Sequence, residues 1–187
     1  MRIERLAAIA VAGSWLSLAG CAQISSAWNW TVDSLTGSGP RATAQLAPTL
    51  GSTVTGTVHL VQKGSSVLVE AEISGLKPDS EHGFHVHEKG DCSAPDGSSA
   101  GPHFNPGGMP HGMYDHAARH AGDMPNLRAD ANGVAHYSWS SDALSIGSGA
   151  GNVLGRSFVV HRDADDYTSQ PAGNSGPRLA CGVINPG

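Results

Sequence analysis

Between Glu88 and Asn132 the chain runs for about forty residues with no convincing strand or helix pattern. A structureless run of that length inside a compact domain argues against ordinary folding unless something other than a hydrophobic core holds it. This run carries His103, His111, His120 and Asp123 within a short span, and His85 and His87 stand just before it. Such a density of nitrogen and oxygen donors is what an ion-organised loop needs, because metal binding supplies the ordering energy that apolar burial does not.

The flanking segments read as strands. Thr53 to Val61 is rich in β-branched residues, and Ser66 to Ile73 follows after a Lys63-Gly64 turn, which predicts a hairpin. Gly83–His87, Gly133–Trp139, Ser157–His161 and Leu179–Ile184 read as further strands. Few charges (14%), 25 glycines and no helical periodicity point to an all-β domain with long loops. His85 and His87 are two apart on one of these strands, so both imidazoles face the same side and reach one ion. Taken alone, such a pair is equally compatible with a solvated sheet face. Three histidines with one carboxylate suit a closed tetrahedral zinc site, whereas an all-histidine set suits divalent copper. Ten histidines in 187 residues strengthen the metal reading, and a net charge of −5 is not basic enough to suggest a nucleic-acid partner.

The first twenty residues read as an export signal. Arg2 and Arg5 precede an apolar stretch from Leu6 to Ala19 that is too short to span a bilayer comfortably. It ends in Leu18-Ala19-Gly20-Cys21, a sequence similar to a bacterial lipobox, in which the cysteine is lipidated after cleavage. An ordinary secretory signal with an incidental cysteine is the competing reading. Residues 22–41 are polar, end in Gly-Ser-Gly-Pro and read as a tether, with Trp28 and Trp30 suited to a membrane interface. The expected organisation is a signal over 1–20, lipidated Cys21 with its tether to 41, and one domain over 42–187. If Cys21 carries lipid, Cys92 and Cys181 remain as one pair, and export places them where a disulfide persists. A loop of about ninety residues closed this way is worth about 4–5 kcal/mol in the chain-entropy model.

Five blocks in order resemble the copper/zinc superoxide dismutases. They are Gly83-Phe84-His85-Val86-His87-Glu88, Gly101-Pro102-His103-Phe104-Asn105-Pro106, His120-Ala121-Gly122-Asp123, Gly155–His161, and Gly173 to Ile184. The likeness covers residues from about 42 to 187 and is closest to the bacterial exported branch, with a longer stretch between Cys92 and His103 and a shorter loop after His161. It implies an eight-stranded Greek-key β-barrel, related to immunoglobulin-like sandwiches, with the metal site outside the barrel under long loops. It implies one copper ion on His85, His87, His103 and His161, and one zinc ion on His103, His111, His120 and Asp123, with His103 bridging. Cys92 and Cys181 match the family's disulfide, Arg178 its arginine beside copper, and Asp165 its carboxylate linking ligands of the two sites. His103 and Arg178 are the implied catalytic residues.

The implied reaction is disproportionation of superoxide to dioxygen and hydrogen peroxide by copper redox cycling, protecting the cell envelope. The substrate is an anion and the protein is net negative, so attraction must be local. Arg178 supplies it, with Lys89 and Arg119 as candidate helpers. The expected location is the periplasm or cell envelope, anchored through Cys21, in the outer membrane if the organism has one. Both monomers and homodimers are compatible with the sequence. Ala172 and Pro177 depart from the family pattern near the substrate channel, and His116 has no family role. The alternative function is a lipid-tethered copper-buffering protein of the same fold with little turnover; a zinc-organised structural domain is the third. The presence of all seven ligand residues and Arg178 favours the enzyme.

Overall fold

The computed structural model describes residues 39–187; the expected signal, Cys21 and most of the expected tether lie outside the described residues. Ten strands follow in order: β1 Arg41–Pro48, β2 Thr55–Lys63, β3 Ser66–Ser74, β4 Glu81–His82, β5 Phe84–His87, β6 Leu127–Arg128, β7 Ala135–Ser141, β8 Ser157–His161, β9 Arg178–Val183 and β10 Asn185–Pro186. One 3-10 turn at Ser98–Ala100 is the sole helical element among the described residues. The chain is all-β, as its composition predicts.

Eight strands form one curled antiparallel sheet in the order β5-β8-β9-β1-β2-β3-β7, with β10 also paired to β1. The β2–β3 hairpin closes with Lys63 opposite Ser66 and Gly64 at φ +61°. A glycine at the first loop position is the pattern of a II′ turn, whose twist matches that of the strands. The outer strands β5 and β7 do not pair with each other. The β4–β6 ribbon stands in this gap instead: β4 leads into β5, and β6 contacts β7. The sheet is therefore a curled half-barrel rather than a fully hydrogen-bonded ring.

Alternation along the strands builds the core. Val58 and Leu60 on β2, Val67, Val69, Ala71 and Ile73 on β3, and Phe84 and Val86 on β5 are fully buried. Phe84 stacks on Phe158 of β8 at 5.0 Å between ring centroids. Strand β1 was not legible as one, because its inward side chains are Ala42, Ala44 and Leu46; two alanines give little apolar contrast. It begins at Arg41, at the end of the expected tether.

The long segment after β5 is held to that strand by backbone bonds. Val86 accepts from Phe104 N–H at 2.8 Å and donates to Gly122 O at 3.1 Å, and Glu88 N–H donates to Pro102 O at 2.9 Å. His85 pairs opposite Asp123, and His87 opposite His103. A side chain at Gly122 would strike the carbonyl of Val86, so only glycine lets the loop approach this closely. The Cys92–Cys181 disulfide pins the loop's first part to β9, across a sequence separation of 89.

Candidate metal centre

Strand β5 presents His85 and His87, the paired loop brings His103, and His161 ends β8. Their ligand atoms lie within 4.8 Å of one another. His103, His111, His120 and Asp123 form a second group with the same closeness, and His103 belongs to both. All seven side chains are buried, from 0% exposed at His85 to 8% at His120.

The outer nitrogen of each imidazole fixes which nitrogen faces inward. His87 Nδ1 donates to Gly101 O at 2.8 Å and His161 Nδ1 to Gly176 O at 3.2 Å. Both rings then turn Nε2 inward, 3.3 Å apart. Burial holds both rings well below the ordinary histidine pKa, with neighbouring histidines adding to the effect. Two neutral rings so arranged point lone pairs at each other, a repulsive contact that a cation between them relieves. His85 Nε2 donates to Asp165 Oδ2 at 2.8 Å, which leaves its buried Nδ1 without a partner. His103 Nε2 is likewise buried and unpartnered, and burial followed by the nearness of His85 lowers this ring to about 3. Orphaned buried nitrogens are rare and call for an explanation; here four inward nitrogens converge.

On the other side, Asp123 Oδ1 lies 2.9, 3.0 and 3.3 Å from the Nδ1 atoms of His103, His111 and His120. A tetrahedral zinc with bonds of about 2.0–2.1 Å has ligand–ligand edges of roughly 3.3 Å. The donor set fits that ion. Asp123 Oδ2 is fixed by the backbone N–H groups of His120 at 2.8 Å and Gly112 at 3.2 Å. Burial works against the charged carboxylate, but the three histidines outweigh it and hold Asp123 far below the usual carboxylate range.

Asp165 ties the groups together. Its Oδ1 accepts from His111 Nε2 at 3.0 Å and from the Tyr167 N–H at 2.7 Å, while Oδ2 accepts from His85. A Cβ at Gly173 would overlap Oδ1 itself, so a glycine with φ +66° is required there. Such outer partners fix tautomer and ring orientation.

A cavity of about 590 Å³ opens onto the all-histidine group, lined among others by His87, His103, His161, Ala172 and Arg178. Arg178 donates to Gly97 O at 2.5 Å and Gly101 O at 2.6 Å, which anchors its guanidinium on the disulfide-pinned loop. Arg119 does not help here: it pairs with Asp142 at 2.7 Å and donates to His116 O. His116 is exposed beside Asp115. His82 bridges Ser80 and the carbonyl of His161. Sequence reasoning missed Glu88, which also lines the cavity, and Arg156, which neutralises it at 3.1 Å and lies 3.6 Å over the Phe104 ring. Their partners are distant in sequence, so no local pattern announces them.

A family model described as copper/zinc superoxide dismutase matches residues 54–184. The chain belongs to the copper/zinc superoxide dismutase family. It is 40% identical over 148 residues to "Superoxide dismutase [Cu-Zn] 2" of Aquifex aeolicus (strain VF5), covering 77% of this chain and 86% of that protein. It is 41% identical over 141 residues to "Extracellular superoxide dismutase [Cu-Zn]" of Brugia pahangi, covering 70% and 69%. Among solved structures, the one titled "Crystal Structure Analysis of the clock protein EA4" superposes with a TM-score of 0.70 at 40% identity, covering 78% of this chain and 93% of that one. The cofactors of the family, one copper and one zinc, correspond in number to the two donor groups sharing His103.

Proposed function

We propose that this chain disproportionates superoxide, with copper on His85, His87, His103 and His161 and zinc on His103, His111, His120 and Asp123. The observation that carries the reading is the shared imidazole of His103, whose Nδ1 faces Asp123 and whose buried Nε2 faces the all-histidine group. When bound, copper supplies a one-electron couple suited to superoxide, and zinc supplies a fixed, redox-silent charge.

The protein's own groups do the rest. Arg178 presents an always-charged fork at the cavity and binds the small anion beside the all-histidine set. Arg156 pairs with Glu88 at the same rim, which reduces that carboxylate's repulsion of the approaching anion. His103 lines the cavity, and its ring is the group that would hold and pass on a proton for peroxide formation. Asp165 keeps His85 and His111 in the tautomers that turn Nδ1 inward. Burial of the ligands excludes water from the centre except through the cavity.

A superoxide assay on protein loaded with both ions tests the activity. Rates at the level of free chain without copper would retire the enzyme and favour copper buffering. The rest of the reading concerns place. Export and lipidation at Cys21 put this activity at the cell envelope, where it removes superoxide arriving from outside; the extracellular relative and the persistent disulfide support export. Changing Cys21→Ser releases soluble, active enzyme. Retention of that variant in the membrane fraction would refute the anchor.

A further inference from the structure

Aromatic residues make up only 5% of this chain, yet Tyr114, Tyr167 and Trp139 meet in one cluster next to Asp165. Trp139 is the only tryptophan among the described residues. Tyr114 lies edge-on to Trp139 at 6.0 Å between centroids and edge-on to Tyr167 at 5.6 Å. Tyr167 donates its backbone N–H to Asp165, whose other oxygen holds His85. Tyr114 sits three residues after His111 on the loop itself. A continuous path thus runs from a copper-set histidine through Asp165 to Tyr167, Tyr114 and Trp139. The last three are only partly buried, so the path ends at the surface.

Two details set this apart from ordinary packing. Tyr167 has φ +60°, a left-handed backbone that a bulky side chain adopts only when its surroundings impose it. The conformation places its N–H on Asp165 while its ring meets Tyr114. Its hydroxyl accepts the Asn126 N–H at 2.8 Å, and Asn126 in turn exchanges two bonds with the Asp165 backbone, so the ring is fixed at both ends. Tyr137, by contrast, packs edge-on to Phe84 and its buried hydroxyl has no partner. Its side chain is buried in the core rather than open to the surface, and the path bypasses it.

We propose that Tyr167, Tyr114 and Trp139 form a relay that carries oxidising equivalents away from the metal-binding histidines. The inference rests on the copper assignment to the histidine set. The oxidant is hydrogen peroxide, the product of the reaction proposed above. Its O–O bond breaks as two aromatic side chains each give up one electron and one proton, so that one peroxide and two side chains yield two waters and two neutral aromatic radicals. A small soluble reductant of the ascorbate or thiol class returns two electrons and two protons. Without the relay the same equivalents fall on the ligand histidines and destroy the site.

The test uses the enzyme loaded with copper and zinc, its copper absorption recorded first, then exposed to hydrogen peroxide without reductant and mapped by peptide mass spectrometry. Oxidation is expected at Trp139 and Tyr114, and not in a zinc-only sample. Freeze-quenched samples should show an electron paramagnetic resonance signal that narrows when the tyrosines are ring-deuterated. In the Tyr114→Phe/Trp139→Phe variant, oxidation of the ligand histidines and copper loss should speed up severalfold while the starting copper spectrum is unchanged. Equal histidine damage with and without the two aromatics overturns the relay, as does equal Trp139 oxidation in the zinc-only sample. Should the variant not fold, the wild-type map and radical signal decide alone. A missing copper band at the outset overturns the copper assignment, and the relay with it.

Discussion

Replacing Asp165 by asparagine discriminates sharply between the two halves of the metal centre. The carboxylate accepts three hydrogen bonds: His111 Nε2 and Tyr167 N–H on Oδ1, and His85 Nε2 on Oδ2. Asparagine offers one oxygen and one NH₂ group. With its oxygen at the Oδ1 position it keeps two bonds and loses one; turned over, it keeps one and loses two. A buried bond is worth about 1–3 kcal/mol when its loss strands a donor, so the first orientation dominates. His85 then faces an NH₂ group. It must either strand its Nε2–H or switch tautomer, and the switch places the proton on the inward Nδ1 that copper needs. Losing such an outer partner costs about 10–100-fold in metal affinity, equivalent to about 1.4–2.7 kcal/mol. Loss of the negative charge weakens both ions alike, so the readout is the difference between them. Competition titrations with a chelator of known affinity should show copper weakened by at least about tenfold more than zinc. Zinc falling as far as copper would refute the tautomer argument.

Three further outcomes follow from the geometry. Arg178→Ile should slow turnover and flatten its salt dependence while leaving the copper spectrum nearly intact; a superoxide assay across ionic strength checks this, and an unchanged rate contradicts the assignment. In the metal-free chain, burial works against a charge on His111, but the carboxylates of Asp123 and Asp165 outweigh it and raise this ring to about 9. Zinc must displace that proton, so calorimetry in buffers of different ionisation heat at pH 7 should register about one proton released from His111. The sign for stability is the same: a raised pKa means that the metal-free pairing contributes fully below about 6.5 and is lost as pH rises through about 9. Cys92→Ser/Cys181→Ser should lower unfolding stability by up to about 4–5 kcal/mol, read by denaturant titration of the metal-loaded protein.

The strands with β-branched runs, and the metal-binding loop with its donors, were legible from local pattern. His85 and His87 show the strand period, and the empty pattern around His103, His111 and His120 asks for an ion. What stayed hidden is non-local or too short to have a period. Strands β4, β6 and β10 are two residues each. The half-barrel edge between β5 and β7 depends on which strands meet in space. The Arg156 stack on Phe104 joins residues 52 positions apart, 156 and 104, in two different loops. The aromatic path likewise joins three separate segments, and only the folded chain brings them together.

The disulfide has a consequence for where this protein can work. Cys92 opens the very turn whose carbonyls at Gly97 and Gly101 grip Arg178, and Cys181 stands three residues past that arginine on the same strand. One covalent link therefore braces both sides of the anion-binding fork. A copy stranded among cytosolic thiols would keep its histidines yet lose the scaffold that aims the channel-lining Arg178. Competence is in this way matched to chemical surroundings: the fork is fully braced only where an oxidising milieu lets that link persist.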